Sequence, residues 1–400
     1  MYVQEFCGSW VDHPFWRERF VVANAADLQT IRESPIDEVI IDVTKGIDVV
    51  DSAAAPPAAR EVPGEPSPRG APKPASPPAP KPIDRDAELE RASRIFSESR
   101  QVVATMFDEA RLGGIRDLEQ AGAVVENITE SVTRHPVAMI GLARLKSADD
   151  YTFMHSVAVS ALMVALARTL GFGEAQVRDA AMAGLLHDVG KAQIPLAILN
   201  KPGALDEKEW ESMRSHPERG HRILQETRGA SAESLDAVLH HHEKMDGTGY
   251  PHRLPGESIG QLARMAAVCD VYDAITSNRP YKSGWQPTVA IRKMTEWAGW
   301  HFDSAIFKAF VKTVGIYPVG SLVRLESRRL AVVMDHRPDN LLKPTVKVFF
   351  SLRANAYIAP IVLYLASRHC KDRIVGVEDP AEHRLQRVDE IWSAATSVVA

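Results

Sequence analysis

Five histidines of this 400-residue chain stand where a solvated surface does not readily explain them, and two of them stand beside acids. His155 opens a run in which Val159, Leu162 and Leu166 follow at i+4, i+7 and i+11, so its imidazole lies on an apolar helical stripe. Taken alone, it reads more readily as a hydrogen-bonded core histidine than as a ligand. His187 and Asp188 close the apolar run AAMAGLLHD just before Gly190, which suits a left-handed turn at a helix end, and Lys191 stands one turn beyond Asp188. A C-terminal cap with an Asp–Lys pair would account for the group. A carboxylate under Leu185 and Leu186 is costly without a cation to receive it, however, and a metal is the favoured reading.

His216 precedes Pro217, the usual start of a new helix, which places its imidazole at a helix junction. Next comes His240-His241-His242-Glu243, followed by KMDGTGYP. At about 100° per residue, His242 falls in the centre of the stripe made by Leu235, Val238 and Leu239. His240 and His241 fall to either side, and periodicity does not choose between them. Asp270 and Asp273 share a face at i+3 on a segment whose Ala263, Ala266 and Ala267 admit a close neighbour. His155, His187, Asp188, His216, His241, His242 and Asp270 make five imidazoles and two carboxylates. That set exceeds the needs of one ion and suits two.

Long helix-period segments must carry these groups. They are read near 85–112, 116–134, 154–170, 174–189, 206–215, 217–228, 232–243, 259–275 and 287–298. Beyond Pro318, GSLVRLESRRLAVVMD and TVKVFFSL read as two or three strands, and a polar tail ends in a helix from Pro380 to Ala395. Near the start, Arg19–Ala23 and Glu38–Val43 look like strands around a helical Leu28–Ser34. Eleven of the 26 prolines crowd between Pro56 and Pro82 with almost no large apolar side chains, the composition of an extended spacer. The expected organisation is a small α/β module over 1–50, a linker over 51–84, a helical domain over 85–317 and a β-rich extension and tail over 318–400. The fold class is therefore mainly α, a helical bundle with a small N-terminal α/β module and a short C-terminal β-containing part.

Composition excludes several function classes. At 45% hydrophobic and 25% charged the chain is ordinarily globular, and a net charge of −5 argues against a broad footprint for DNA or RNA. Cys7, Cys269 and Cys370 form no CxxC pair, so neither a disulfide framework nor a thiolate metal site is indicated. The start MYVQEFCGSW lacks the features of a secretion signal, and the most apolar stretch, Val157–Leu170, is interrupted by Arg168. No membrane span and a cytoplasmic location are expected.

The series His155, HDVGK at 187–191, HPERG at 216–220, HHEKMDGTGYP at 241–251 and CDVYDAITSNRPYK at 269–282 resembles the HD-GYP subgroup of HD-domain metal-dependent phosphohydrolases, bacterial phosphodiesterases of cyclic di-GMP. The similarity covers roughly 145–315. The first 50 residues resemble, more weakly, a small N-terminal domain of unknown function found before HD-GYP domains. The resemblance implies an HD helical core with two divalent ions: His155, His187, Asp188 and Asp270 around one, His216, His241 and His242 around the other, and Asp188 bridging. Iron or manganese suits so many imidazoles better than magnesium, and two ions against two carboxylates leave a charge near +2 (roughly) for an anionic phosphodiester. Water activated by such ions would lose a proton near neutral pH and could attack phosphorus in line, giving linear pGpG and, in some members, GMP.

Lys191 would hold a phosphate oxygen or orient the water, Arg279 and Lys282 resemble the phosphate-binding pair, and Gly249, Tyr250 and Pro251 belong to the loop that meets the substrate. Gly247 and Gly249 would let that loop's backbone come close to the ligand. Asp246 and Asp273 would orient ligands or the loop. Where some members have a glutamate four residues before the first ligand histidine and a third metal, this chain has Tyr151, which favours a binuclear site and puts full conversion to GMP in question. The competing expectations are a catalytically silent cyclic dinucleotide sensor, a module docking a diguanylate cyclase or another signalling protein through the GYP loop, and a phosphohydrolase for another cyclic dinucleotide. A homodimer is a further open expectation.

Overall fold

The computed structural model describes strands at 2–7, 20–21 and 38–41, and then residues 85–143, 151–201, 203–277, 284–337, 340–385 and 388–393. The chain divides into two compact units, Met1–Pro82 and Ile83–Ala400. In the first, β1 (Tyr2–Cys7) lies between β2 (Phe20–Val21) and β3 (Glu38–Ile41), both antiparallel to it. The central strand YVQEFC is the one not read from the sequence; the expected helix at Leu28–Ser34 and the proline-rich spacer lie outside the described residues.

The second unit is mainly helical. Its elements are α1 (Arg85–Leu112), α2 (Glu119–Arg134), α3 (Pro136–Ala143), α4 (Tyr151–Thr169), α5 (Glu174–Leu186), α6 (Leu196–Leu199), α7 (Glu207–Arg214), α8 (His216–Gln225), α9 (Ala232–His240), α10 (Gln261–Thr276), α11 (Pro287–Trp297) and α12 (Ser304–Val314). Val157 through Ala167 of α4 are buried on every side, the pattern of a central core helix. α4 packs against α5, α10 and α12, and α5 in turn against α9, while α8 packs against α9 and the turn that follows α5, so the histidine-bearing segments form one connected group.

α3 and α12 were not anticipated. PVAMIGLA in α3 is apolar throughout and offers no amphipathic period. Several helices also stop earlier than their periodicity suggests. α5 ends at Leu186, where the chain tightens into a 3₁₀ turn at Val189–Gln193, and α9 ends at His240.

The C-terminal part is an antiparallel sheet in the order β7-β6-β5-β4-β8, built from β4 (Leu322–Leu325), β5 (Arg329–Arg337), β6 (Asn340–Ser351), β7 (Ala356–Tyr364) and β8 (Ile374–Val377). Five strands replace the two or three expected. β7 contains Pro360 and β8 is a four-residue piece of a polar tail, so neither carries a strong strand signal. Val323, Leu325, Ala331, Val333, Val346 and Val348 form the sheet's core. A short helix, α13 (Val388–Ser393), sits within the expected 380–395 segment; Lys347 Nζ donates to Ile391 O at 3.0 Å and Arg85 Nη2 to Trp392 O at 2.6 Å, tying β6 and α1 to it.

Candidate metal centre

α5 delivers the first pair. His187 follows its last turn and Asp188 starts the 3₁₀ turn, and both are fully buried. Gly190 sits in this turn without a left-handed φ, contrary to the expectation for a helix-end glycine. Its role is close approach: an added Cβ would lie 1.9 Å from the His216 carbonyl oxygen and 2.5 Å from the Gly220 nitrogen. Gly190 therefore lets the turn lie against α8, whose first residue is His216.

His216, His241 and His187 share one device. Their Nδ1 atoms donate to the carbonyls of Met213 (2.7 Å), Val238 (2.9 Å) and Gly184 (2.8 Å), each three residues back along the chain. In a neutral imidazole that leaves Nε2 as a bare lone pair, and all three point inward. His216 Nε2 and His241 Nε2 lie 3.3 Å apart, and Asp188 Oδ1 is 3.3 Å from the former and 3.9 Å from the latter. Across the carboxylate, Asp188 Oδ2 is 3.4 Å from His187 Nε2 and 3.7 Å from His155 Nε2. His155 Nε2 also meets Asp270 Oδ1 at 2.9 Å, and His187 Nε2 lies 3.8 Å from the same oxygen.

These atoms resolve into two clusters with Asp188 in both: Asp188, His216, His241 and His242, and His155, His187 and Asp188. Asp270 adjoins the second. The donor set fits a pair of divalent cations on an observation independent of motif. His187 Nε2 and Asp188 Oδ1 are buried without a hydrogen-bond partner, and two imidazole lone pairs face each other at 3.3 Å, an arrangement that repels unless a cation stands between them.

Electrostatics point the same way. Burial alone would raise the Asp188 carboxyl, yet Lys191 and His187 beside it hold it well below the usual carboxylate range. Asp270 is likewise held low against its burial by the hydrogen bond and charge of His155. Burial, reinforced by His242, His187 and His216, pushes His241 well below the ordinary imidazole value, and burial with His216 takes His242 down to about 3. The site thus keeps its acids ionised and these imidazoles neutral, the states in which both ligate. His155 is the exception: burial is outweighed by hydrogen bonds to Asp270 and Asp273, which raise it. Asp273 Oδ2 meets His155 Nδ1 at 2.6 Å and orients the ring with its other nitrogen inward.

The remaining sequence candidates divide. Lys191 Nζ donates to Asp188 Oδ2 at 2.5 Å. The Tyr250 ring stacks on His242, with centroids 4.7 Å apart and planes at 28°, and the Tyr250–Pro251 peptide is cis. Gly249 is pressed against its own chain, since a Cβ there would lie 2.4 Å from Glu243 Cα. Its small size thus serves the fold of the loop. Asp246 Oδ1 accepts from Thr248 N at 2.8 Å and shapes the turn around Gly247, whose φ is +77°. His240 faces away from the centre, bonded to Asp236 (2.7 Å) and His252 (3.0 Å). Arg279 and Lys282 lie outside the described residues.

Sequence reasoning overlooked Glu243. It is buried, and its two oxygens accept the backbone N–H groups of His252 at 2.6 Å and Leu254 at 3.1 Å, fastening the glycine loop from beneath. The available signal was an acid placed directly between the histidine pair and the glycine turn.

The HD domain family matches residues 125–306, and the domain of unknown function DUF3391 matches residues 1–121. A cyclic di-GMP phosphodiesterase of Pseudomonas aeruginosa is 50% identical over 98% of this chain and 93% of its own length. The chain belongs to the HD-GYP type of the HD-domain family. Within that family, the response regulator RpfG of Xanthomonas campestris, a cyclic di-GMP phosphodiesterase, is 42% identical over 37% of the chain and 39% of its own length. A 3'3'-cGAMP-specific phosphodiesterase of Vibrio cholerae is 36% identical over 37% of the chain and 28% of its own length. As an HD-GYP protein the chain carries the motif series, the buried donor clusters and the glycine loop within one helical unit, and no helix among its described residues is long and apolar enough to cross a membrane.

Proposed function

We infer that this protein is a metal-dependent phosphodiesterase that hydrolyses cyclic di-GMP to linear pGpG. The observation that carries the inference is the convergence, in a chain 50% identical to a cyclic di-GMP phosphodiesterase over nearly its whole length, of five imidazoles and two carboxylates on one buried centre with unpartnered donor atoms. His155, His187, Asp188 and Asp270 would hold one ion and His216, His241 and His242 the other, with Asp188 common to both. Iron or manganese suits this donor set. Bound there, the ions would neutralise charge on the phosphodiester and activate a water nucleophile.

The chain's own groups do the rest. Lys191, hydrogen-bonded to Asp188, would turn its ammonium to a non-bridging phosphate oxygen. Asp273 keeps His155 in its ligating orientation, and Glu243 keeps the loop of Gly249, Tyr250 and Pro251 seated against the centre. Arg279 and Lys282 would hold the phosphate that does not react. The division of the chain that goes with this reading is the N-terminal module at 1–50, linker at 51–84, HD-GYP domain at 85–317 and extension at 318–400. Cys269 and Cys370 are free thiols, which supports a reducing compartment, the cytoplasm, as the place of reaction.

The test is anaerobic purification with metal analysis, followed by assays of cyclic di-GMP, a hybrid cyclic dinucleotide and pGpG with wild type and Asp188→Ala. Turnover of cyclic di-GMP by wild type and none by the variant is expected. Wild type loaded with iron or manganese that leaves every substrate intact would end the enzyme reading in favour of a binding module.

A further inference from the structure

Beside the metal centre, α7 presents Trp210 and Arg214 one turn apart on its surface. The helix is firmly started: Asp206 Oδ1 accepts from Glu209 N at 2.9 Å and Glu209 Oε2 from Asp206 N at 2.8 Å. The Arg214 guanidinium lies 5.7 Å from the Trp210 ring centroid and 5.9 Å from that of Tyr250. Tyr250 itself stacks on His242. A chain of ring and cation–ring contacts therefore runs outward from a candidate ligand histidine through Tyr250 and Arg214 to Trp210, which is 46% exposed.

Arg214 is unusual among the cations of this rim. Lys191 is bonded to Asp188, Lys201 to Glu209 and Arg219 to Gln193 O and Ser215 Oγ. Among the described residues no carboxylate lies within ion-pair distance of Arg214. Its charge lies beside two rings, and its five N–H donors meet no hydrogen-bond acceptor among the described residues. That edge matches the two acceptors O6 and N7 of guanine. It does not match adenine, which presents one acceptor and one donor there.

We propose that Arg214, held between Trp210 and Tyr250, reads the O6/N7 edge of one guanine of the substrate, and that Trp210 is the platform on which this base packs. The proposal rests on the functional reading above and deepens it: Arg214 is a specificity-determining residue, and the ligand class is a guanine-containing cyclic dinucleotide.

The experiment uses the full chain loaded with manganese. Wild type, Arg214→Ala, Arg214→Lys, Trp210→Phe and Trp210→Ala are compared for kcat and KM, and for binding by calorimetry, with cyclic di-GMP and cyclic di-AMP; metal content serves as the control for a folded site. Arg214→Ala is expected to raise KM for cyclic di-GMP by about tenfold or more, the size of a lost bidentate base contact, and to narrow the preference over cyclic di-AMP by the same factor. Arg214→Lys should fail to restore the preference, and Trp210→Phe should keep more of it than Trp210→Ala. An equal loss on both ligands, or an unchanged preference, overturns the assignment, because a structural or phosphate-binding role would not distinguish the bases. Wild type that binds cyclic di-GMP with an Arg214-dependent preference but does not cleave it would uphold the proposal and overturn the functional reading. Wild type that binds neither ligand overturns both.

Discussion

Two buried charged clusters lie in the same helical unit and behave oppositely. On α1, Glu88 is fully buried, and its carboxylate accepts from Ser131 Oγ at 3.0 Å, from Arg134 Nε at 3.1 and 3.2 Å and from Arg91 Nη1 at 3.3 Å. Both oxygens have donors within the chain. At Asp188 one oxygen accepts from Lys191, but the other has no donor and the facing imidazoles offer it lone pairs instead of protons. A buried acid whose two oxygens both meet donors is a device for stability, whereas one with an oxygen left facing imidazole lone pairs is a device for binding a metal.

The contrast can be broken most sharply at Asp188. Asp188→Ala should lower turnover of cyclic di-GMP by at least about a thousandfold and deplete bound metal. Retained metal at wild-type stoichiometry with wild-type rates would show that the two clusters do not differ in kind. Next in size is ligand-linked stability. Manganese at a hundred times its dissociation constant should stabilise wild type by about 2.7 kcal/mol in thermal unfolding, and Asp188→Ala should lose that shift. A shift of equal size in the variant would place the ion elsewhere.

At the closed cluster, Glu88→Gln should cost about 2 kcal/mol of stability at neutral pH while leaving metal content and KM as in wild type. Burial alone would raise the Glu88 carboxyl, but Arg134 and Ser131 hydrogen-bonded to it draw it below its usual value. A depressed folded value means that the stabilisation is present above the ordinary glutamate range of about 4.3 and is lost as pH falls through the folded value. Urea unfolding of wild type and Glu88→Gln should therefore differ at pH 7 and converge in acid; a gap that persists at acid pH would contradict this. The smallest effect is expected at an open pair. Arg373 and Glu326 meet at 2.9 Å with their side chains 71% and 51% exposed, so Glu326→Ala should change the unfolding free energy by less than about 0.5 kcal/mol.

Much of the helical scaffold was legible because its signals are local. Arg85–Leu112 was read at both ends, and Asp206, Ser215-His216-Pro217 and Gln286-Pro287 mark helix starts by capping and proline chemistry. α3 lacked an apolar period, and β7 and β8 drew their identity from pairing with β6 and β4, which no local window contains. The role of Gly190 was misread for the same reason: it looked like a left-handed turn residue, and its constraint is instead the backbone of α8 pressed against it, while Gly249 carries a close contact with Glu243 that spacing does not show.

The sequence alone determined which residue types gather and in what order, because metal-ligating groups, capping residues and a glycine loop each leave a mark at fixed spacing. It did not determine which of His240 and His241 turns inward. α9 ends at His240 and His241 caps it, so the helical wheel runs out at the very pair it would have to separate. His241 faces Asp188 because Val238 O anchors its Nδ1 while α8 and the Asp188 turn close over it, and His240 is drawn the other way by Asp236 and His252. That choice is made by packing between segments far apart in the chain, and only the tertiary structure contains it.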